Sequence, residues 1–323
     1  MTTAVFIDGE YGTTGLQIKS RLFSRSDVTL VSLPESKRKC TRARSEILND
    51  VDIVILCLPD DGARDAVAMI QSPGVRIIDA SSAHRICDKW TYGFPEYNRK
   101  QAEKIANARY VTNPGCYAVA AVSMLYPLII SHILPHNFPA TIHAVSGYSG
   151  GGKQLITEFE DKSSPNYTND IFRIYSLNLE HKHISEIQAF SGLSMPPIFV
   201  PSVGRFRQGM IVQVPLFLGA IAGKPRIDLI IDKLQEHYKN RPFISVNECS
   251  KHGNISTMNP EICNGTNEIK IFVCSNEHKN QAVLFGILDN LGKGASGQAL
   301  QNLNLMLGLD ESYGLNHKKV HSY

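Results

Sequence analysis

Ala4-Val-Phe-Ile-Asp-Gly-Glu-Tyr-Gly-Thr-Thr-Gly15 is the segment of this 323-residue chain that most clearly indicates its fold. The apolar run from Ala4 to Ile7 predicts a strand, and the spacing from Leu16 to Leu22 predicts a helix. The glycines between them have the spacing G-x-x-G-x-x-G, which differs from the commoner G-x-G-x-x-G. A glycine turn at a helix start lets backbone N–H groups approach a dinucleotide pyrophosphate. The stretch therefore predicts a dinucleotide site at Gly9, Gly12, Thr13, Thr14 and Gly15.

The next hundred residues repeat the alternation of strands and helices. Val28 to Leu33, Val51 to Leu58 and Val75 to Asp79 read as strands, and helical segments separate them. This order predicts a parallel, doubly wound sheet, whose ligands bind outside the carboxyl ends of the strands. Ser81 and Ser82 follow one such end, so we expect them at the edge of the cofactor, although helix capping explains such residues equally well.

The segment after the second strand bears on the choice of cofactor. It reads Ser32-Leu-Pro-Glu-Ser-Lys-Arg-Lys39, where an NAD site usually has an acidic residue for the ribose 2′-hydroxyl. Hydroxyl groups and basic side chains suit a 2′-phosphate, so Ser32 and Arg38 favour NADP. Glu35 leaves NAD open, and a solvated basic loop is the alternative without a ligand.

Tyr110-Val-Thr-Asn-Pro-Gly-Cys-Tyr117 carries the candidate nucleophile. Its β-branched run ends in a turn sequence, and the apolar run from Ala118 to Leu134 predicts a buried helix. Cys116 then lies at a helix start, where unpaired N–H groups and the helix dipole favour an anion. This position favours the thiolate and predicts a nucleophile. A small buried hydrophobe is the alternative.

The second half of the chain predicts another α/β domain. Met210 to Leu218 and Ile269 to Cys274 read as longer strands of a mixed sheet, with an amphipathic helix from Arg226 to Tyr238. Earlier, Gly147-Tyr-Ser-Gly-Gly-Gly-Lys153 follows a strand and can direct N–H groups and a cation toward phosphate. A flexible loop is the other interpretation of that glycine-rich segment.

Two further polar segments hold titratable or anion-binding side chains. His181 and Glu186 are candidates for an acid/base and the carboxylate that orients it. A metal at His181 and His183 is disfavoured, because no thiolate or carboxylate ligands follow at useful spacing. Arg205 can hold a carboxylate or phosphate bidentately, or simply belong to a surface strand pair.

Composition excludes several classes of function. The net charge of +3 is too small to indicate binding to nucleic acid or to an anionic membrane. The seven cysteines have no regular spacing and fit free thiols in a reducing compartment. The N-terminus reads directly into a strand without a secretory signal, and the longest apolar run is interrupted by Pro127. These features predict a cytoplasmic protein that does not span a membrane.

Five motifs, taken together and in order, resemble the N-acetyl-γ-glutamyl-phosphate reductase family. The resemblance extends from about residue 4 to about residue 310 and is closest to the shorter, second type of that family, in Ile7-Asp-Gly-Glu-Tyr-Gly-Thr-Thr-Gly-Leu-Gln17 and in Pro201-Ser-Val-Gly-Arg-Phe-Arg-Gln-Gly-Met210. The five motifs are Gly9 to Gly15, Asn113-Pro-Gly-Cys-Tyr117, Ser146-Gly-Tyr-Ser-Gly150, His181-x-His183-x-x-Glu186-Ile187 and Lys293-Gly-Ala-Ser-Gly297-Gln.

The resemblance implies an organisation in two domains. Residues 1–115 would form a Rossmann-like NADP domain, completed by a C-terminal helix over residues 294–323. Residues 116–293 would form an α/β catalytic and dimerisation domain with a mixed sheet. The expected assembly is a homodimer or homotetramer.

The resemblance also implies a reaction: reversible NADP-dependent conversion of N-acetyl-L-glutamyl 5-phosphate to the semialdehyde and phosphate, within arginine biosynthesis. Cys116 matches the family nucleophile, His181 its acid/base and Glu186 the carboxylate that orients the histidine. Whether His181 or His183 is the acid/base stays open, and no metal is implied. The remaining matched positions are Gly294 for the cofactor and Asn113, Ser149, Gly150, His183 and Arg205 for the substrate.

Three other functions are compatible with parts of the sequence. Another phosphorylating semialdehyde dehydrogenase, of the aspartate-semialdehyde type, would use the same thioester chemistry. A non-catalytic NADP-sensing protein would keep the glycine turn and tolerate loss of the thiol. A cysteine hydrolase would leave the stretch from Gly9 to Gly15 without a purpose.

Overall fold

A computed structural model describes residues 2–249 and 256–316 of the chain. Contact clustering divides them into two compact units. The first contains residues 2–95, 99–114 and 295–314, and the second contains the remaining described residues. Residues 317–323, which the sequence assigned to the C-terminal helix, lie outside the described residues.

The first unit is built on a parallel sheet, as the sequence predicted. Six strands lie in the order β2-β1-β3-β4-β6-β5. The chain leaves β1 toward β2 on one side and returns to β3 on the other, which creates the switch point where such sheets bind ligands. The elements up to β6 are β1 (Thr3–Asp8), α1 (Thr13–Leu22), β2 (Val28–Val31), α2 (Thr41–Asp50), β3 (Ile53–Leu56), α3 (Asp60–Met69), β4 (Arg76–Asp79), β5 (Thr91–Tyr92), α4 (Gln101–Asn107) and β6 (Tyr110–Thr112).

The core of the first unit explains its apolar strands. All four residues of β3 are buried, which is typical of a parallel strand with both faces covered by helices. Phe6 on β1 and Ile77 on β4 belong to the same buried cluster as Leu48 of α2. This packing fixes the carboxyl ends of β1 and β3, from which the glycine turn begins.

The second unit contains a mixed sheet, which confirms the predicted fold class. Its seven strands lie in the order β11-β12-β13-β10-β7-β9-β8. The pairs β11–β12 and β7–β9 are parallel, and the other neighbours are antiparallel. The elements are α5 (Cys116–Ile130), β7 (Thr141–Gly147), α6 (Gly152–Glu160), β8 (Phe172–Ile174), α7 (His183–Ser191), β9 (Ile198–Gly204), β10 (Met210–Phe217), α8 (Ile227–His237), β11 (Ile244–Glu248), β12 (Ile269–Asn276) and β13 (Gln281–Leu288).

Helix α5 is the central helix of the second unit. It is buried along nearly its whole length, as a helix that is apolar on all sides should be. The predicted apolar run continues to Leu134, but the helix ends at Ile130, and His132 then has a left-handed φ of 58°. Within the described ranges, no helix combines the length and apolarity that crossing a bilayer requires.

The C-terminal segment differs from the predicted helix over residues 294–323. A π-helical turn (Gly292–Ser296) follows β13, and α9 (Gly297–Met306) lies in the first unit. The helix stops because Gly308 adopts a φ of 71°, the left-handed conformation that commonly ends a helix. Residues 309–316 are turns and irregular chain.

The expectation of free thiols throughout is wrong at one pair. Cys249 and Cys274 form a disulfide with Cα atoms 5.0 Å apart. Glu248 of β11 pairs with Val273 of β12 in parallel register, so the next residue of each strand lies beside the other. Sequence spacing did not indicate this pair, because strand pairing brings together residues that are distant in the chain.

Candidate active site

The glycine turn of the first unit is shaped by close backbone contacts. A β-carbon on Gly9 would lie 2.3 Å from the carbonyl oxygen of Cys57, and the φ of Gly9 is +93°. A β-carbon on Gly15 would lie 2.3 Å from the carbonyl oxygen of Gly9. Gly12 is the N-cap of α1 and has no side chain that could accept from the first N–H groups of the helix. The first N–H groups of α1, at Thr13 and Thr14, can therefore bind phosphate oxygens.

A cavity of about 320 Å³ lies beside this turn. The guanidinium of Arg38 lies 5.4 Å from the ring centroid of Tyr11, and both side chains line the cavity. Arg44 forms a 2.7 Å ion pair with the buried carboxylate of Asp8. The glycine turn, the cavity beside it and the arginine side chains that line the cavity together suit a dinucleotide. The lining residues are Phe6, Ile7, Asp8, Gly9, Glu10, Tyr11, Leu33, Arg38, Lys39, Arg44, Leu58 and Gly62.

Ser32, predicted to bind the cofactor, contacts Glu10. Its hydroxyl donates to Glu10 Oε2 at 3.0 Å, and Lys19 Nζ approaches the same oxygen at 2.7 Å. Glu10 is buried and lines the cavity. Sequence pattern did not single out Glu10, because its partners come from α1 and from the residue that follows β2. A role of Ser32 toward the cofactor stays a prediction.

Ser81 and Ser82, the other predicted cofactor residues, bond to carboxylates of their own unit. The Ser81 hydroxyl donates to Asp79 at 2.8 Å, and the Ser82 hydroxyl donates to Asp60 at the same distance. Asp79 is fully buried and also lies 2.6 Å from Nδ1 of His84. Asp79 and His84 were not predicted as site residues, although both flank the two serines.

Asn113 was predicted to bind substrate, and it is almost completely buried. Its amide nitrogen donates to the carbonyl oxygen of Ala295 at 3.0 Å, and its amide oxygen accepts from Asn302 at 3.1 Å. Asn113 thus holds the end of β6 to the start of α9 within the first unit. Its proposed role toward substrate stays a prediction.

In the second unit, Cys116 is the first residue of α5 and is partly exposed. The preceding residue, Gly115, is the N-cap, and its N–H donates to Oε1 of Glu186 at 2.9 Å. Glu186 lies on α7 and is almost fully buried. The Glu186 carboxylate therefore fixes the start of α5 beside the thiol. Its role in orienting His181 stays a prediction.

His181 and His183 lie together where α7 begins. The N–H of His183 donates to Nδ1 of His181 at 3.1 Å, and the ring centroids are 4.7 Å apart. Because Nδ1 accepts this bond, neutral His181 carries its proton on Nε2. In the part of the chain that the structure describes, no group of three or more His, Cys, Asp or Glu side chains is placed to hold a metal ion.

Two tyrosines complete this cluster, and the sequence reasoning selected neither. The Tyr175 hydroxyl donates to the Tyr117 hydroxyl at 3.2 Å, which donates to the carbonyl oxygen of Ser202 at 3.2 Å. Burial raises the pKa of Tyr175 to about 12, and negative charge on Cys116 acts in the same direction. Burial also raises the pKa of Tyr117 well above its ordinary value. Both hydroxyls are therefore neutral donors, and both lie close enough to Cys116 to interact electrostatically with its thiolate.

Ser149 and Gly150 follow β7 in a short helical turn. The Ser149 hydroxyl is buried and accepts from the amide of Asn290 at 3.0 Å. Gly150 is exposed, and a β-carbon there would lie 3.1 Å from the Ser146 hydroxyl. This turn is thus tied to the residues after β13, and its contact with substrate stays a prediction.

Arg205 is engaged with the backbone of the segment before β8. Its guanidinium donates to the carbonyl oxygens of Thr168 and Asp170 and lies 5.2 Å from the ring centroid of Phe159. These contacts hold the 161–171 segment against the sheet of its own unit. The role of Arg205 as an anion clamp stays a prediction.

Gly294, predicted to bind the cofactor, lies against the thiol residue. A β-carbon on Gly294 would lie 2.7 Å from the β-carbon of Cys116. Both residues belong to the second unit. The structure thus brings Cys116, Glu186, the two histidines and Gly294 into one unit around the start of α5.

Profiles of two protein domains match the chain. The profile described as "Semialdehyde dehydrogenase, NAD binding domain" matches residues 14–105. The profile described as "Semialdehyde dehydrogenase, dimerisation domain" matches residues 116–290. The first match supports a nicotinamide cofactor in the unit that contains the glycine turn.

Solved structures share the fold at low sequence identity. Aspartate semialdehyde dehydrogenase II from Vibrio cholerae, complexed with ASA, superposes with a TM-score of 0.70 at 16% identity, covering 95% of this chain and 99% of the other. Aspartate semialdehyde dehydrogenase with NADP from Candida albicans gives a TM-score of 0.63 at 12% identity, with 95% and 99% coverage. At these identities the likeness shows the fold alone.

Curated relatives are similar over almost the whole chain. N-acetyl-gamma-glutamyl-phosphate reductase from Trichormus variabilis is 49% identical over 317 residues, which is 96% of this chain and 98% of that protein. N-acetyl-gamma-glutamyl-phosphate reductase 2 from Pseudomonas putida is 45% identical over 97% of this chain and 99% of that protein. The chain therefore belongs to the N-acetyl-γ-glutamyl-phosphate reductase family.

Proposed function

We propose that the protein catalyses the reversible, NADP-dependent reduction of N-acetyl-L-glutamyl 5-phosphate to N-acetyl-L-glutamate 5-semialdehyde, with release of phosphate, in arginine biosynthesis. The observation that carries the proposal is the position of Cys116 as the first residue of α5, behind an N-cap whose N–H is held by Glu186. A thiol at a helix start has the electrostatic support that a thiolate nucleophile needs. The names of the similar reductases support the choice of substrate.

The chemistry follows from the groups around Cys116. Its thiolate attacks the acyl carbon, phosphate leaves with the electron pair of the broken C–O bond, and a thioester forms on the sulfur. When bound, the nicotinamide cofactor supplies the hydride that reduces this thioester. The Nε2–H of His181 donates to the carbonyl oxygen as negative charge develops there. Expulsion of the thiolate then yields the aldehyde and restores Cys116.

The first unit carries the features that suit the cofactor. The glycine turn at Gly9 to Gly15 and the uncapped start of α1 would hold the pyrophosphate. Arg38 and Lys39 line the adjoining cavity and supply positive charge for a 2′-phosphate. We therefore propose NADP rather than NAD, bound by residues 1–115 together with the returning C-terminal segment.

Replacing Arg38 by alanine tests the choice of cofactor. A charge-assisted hydrogen bond to the 2′-phosphate is worth about 1.5–3 kcal/mol, so the KM for NADPH should rise roughly 10- to 100-fold while the KM for NADH stays the same. Arg42→Ala is the matched control, because Arg42 is largely exposed and pairs with Glu46. An equal effect of Arg38→Ala on both cofactors would contradict recognition of the phosphate.

The activity itself is tested with two competing aldehydes. Purified protein is assayed with NADP, phosphate and either N-acetylglutamate semialdehyde or aspartate semialdehyde. We expect the protein to prefer the acetylated five-carbon substrate. Preference for aspartate semialdehyde would contradict the proposal and indicate a dehydrogenase of the aspartate-semialdehyde type. Omitting phosphate should trap an acyl group, and mass mapping should find it on Cys116.

We also propose that the protein assembles as a homodimer or homotetramer. The dimerisation-domain profile matches residues 116–290, which are most of the second unit, and several large apolar side chains there are exposed, including Ile171, Phe172 and Leu177. Contiguous exposed apolar groups are typical of surfaces that associate. Sedimentation velocity should show a dimer or tetramer at micromolar concentration, and a monomer alone would contradict the assembly.

A further inference from the structure

The segment that follows β13 lies directly against the nucleophile. Gly294 is so close to Cys116 that an added β-carbon would lie 2.7 Å from the cysteine β-carbon, shorter than real β-carbon contacts. The φ of Gly294 is not in the left-handed region, so glycine is required here by space and not by backbone conformation. The bare backbone of Gly294 therefore limits where the Cys116 side chain can lie.

A buried carboxylate fixes the beginning of this segment. Asp289 is fully buried; its Oδ1 accepts from the N–H of Leu291 at 2.9 Å, and its Oδ2 accepts from the amide of Gln208 at 2.7 Å. The Gly294 N–H donates to the carbonyl oxygen of Asp289 at 2.9 Å. A backbone hydrogen bond thus closes the turn from Asp289 to Gly294, and the Asp289 side chain attaches it to the loop between β9 and β10.

A buried ion pair fixes its other end. Lys293 and Glu96 are both fully buried, and Nζ of Lys293 lies 2.7 Å from Oε1 of Glu96. The ammonium also lies 5.4 Å from the ring centroid of Phe243. Two charges taken out of water gain little net stability from their attraction, because desolvation offsets it. Such a pair is better explained by the geometry that it imposes on the residue beside it, which is Gly294.

We propose that the turn from Asp289 to Gly294 is a positioning element for the nucleophile, in which the Glu96–Lys293 ion pair holds the bare backbone of Gly294 against Cys116. Lys293, Glu96 and Gly294 are positioning residues, since they act through Cys116. This inference rests on the proposed function, in which Cys116 is the residue that becomes acylated.

The first test compares Gly294→Ala with Gly219→Ala. A β-carbon on Gly219 meets only Asn280, at an ordinary 3.6 Å, so this variant is the matched control in the same unit. Displacement of a reacting group by about 1 Å can cost about 10²-fold, so kcat of Gly294→Ala should fall roughly 10- to 100-fold with KM within about twofold. Gly219→Ala should leave both constants unchanged.

A second readout does not depend on turnover. Iodoacetamide labelling, resolved by mass mapping, gives the rate at Cys116 relative to the exposed Cys87 in the same sample. A thiol moved from the helix start loses thiolate character, so the ratio should fall at least about fivefold in Gly294→Ala. Unchanged kcat and labelling ratio in Gly294→Ala would overturn the proposal.

The ion pair is tested with a single variant and with a double variant that removes both buried charges. Lys293→Met alone leaves Glu96 buried without its cation, so it is compared with the double variant Glu96→Gln/Lys293→Met, which removes both charges. The double variant should recover most of the melting temperature that Lys293→Met loses, yet keep a low kcat and a low labelling ratio at Cys116. Recovery of kcat together with the melting temperature would show a role in folding only and overturn the proposal.

Failure of this inference and failure of the proposed function are distinguishable. If Cys116 is not acylated in the trapping experiment, the proposed reaction is wrong, whatever Gly294→Ala does. If Cys116 is acylated but Gly294→Ala reacts with iodoacetamide at the control ratio, the reaction stands and the positioning element is wrong.

Discussion

Replacing Cys116 by serine is expected to lower turnover by about 10³-fold or more, since removing a covalent nucleophile is among the most damaging changes in an active site. Serine is nearly isosteric and keeps the packing against Gly294. Its hydroxyl, however, is not ionised at a helix start, whereas a thiol there can be. Steady-state rates with the semialdehyde, NADP and phosphate measure the loss.

Two controls separate lost chemistry from lost structure. NADPH binding, followed by its fluorescence, should persist in Cys116→Ser, because the glycine turn belongs to the first unit. Cys87→Ser removes an exposed thiol and should leave turnover unchanged. Turnover of Cys116→Ser within tenfold of the parent would contradict the covalent route through this residue.

Features that depend on neighbouring residues were predictable from the sequence. The strand–glycine–helix order around Gly9 and the start of α5 at Cys116 follow from apolar periodicity and turn residues, which act within a few positions. The parallel sheet followed from the alternation of strands and helices. Family resemblance added the substrate, which no periodic pattern carries.

Contacts between distant segments were not predictable in the same way. Glu186 accepts from the N–H of Gly115, which is 71 positions away, and spacing within its own motif indicated only the nearby His181 as a partner. The family resemblance matched Gly294 to the cofactor, which stays a prediction, and did not indicate its contact with Cys116. In both cases the partner is chosen by packing around α5, which the order of residues does not reveal.

Strand β8 was not predicted from the sequence for a different reason. Phe172 and Ile174 are exposed while Arg173 between them is partly buried, the reverse of the alternation expected of an edge strand on a core. Its pairing with β9 is set by the sheet and not by a hydrophobic face. The same exposed apolar residues are those proposed to associate with another copy.

Replacing Gly9 by alanine is expected to weaken NADPH binding by roughly 10²-fold or more. A non-glycine residue in a left-handed conformation costs about 1–2 kcal/mol, and overpacking adds about 1–3 kcal/mol. The added methyl would lie 2.3 Å from the carbonyl oxygen of Cys57, which is backbone at the end of β3 and cannot rotate away. Fluorescence titration of NADPH gives the dissociation constant directly.

Alanine variants of two further glycines serve as controls for Gly9→Ala. Gly74→Ala meets nothing within 4 Å and should bind NADPH as the parent does. Gly15→Ala introduces a 2.3 Å contact with the Gly9 carbonyl without a left-handed φ, so it reports the steric part alone and should give a smaller loss. NADPH binding by Gly9→Ala at the parent affinity would exclude this turn as the pyrophosphate site.

The expected loss of NADPH affinity in Gly9→Ala comes from a smaller population of the binding conformation and not from a lost contact. Alanine removes no donor from the turn, since Gly9 has no side chain to lose. It raises the free energy of the one conformation that exposes the N–H groups of α1, and the apparent affinity falls in proportion to the population of that conformation. A penalty near 3 kcal/mol thus appears as a dissociation constant about 10²-fold higher. Labelling of Cys116 by iodoacetamide should stay at the parent rate, because the start of α5 belongs to the other unit.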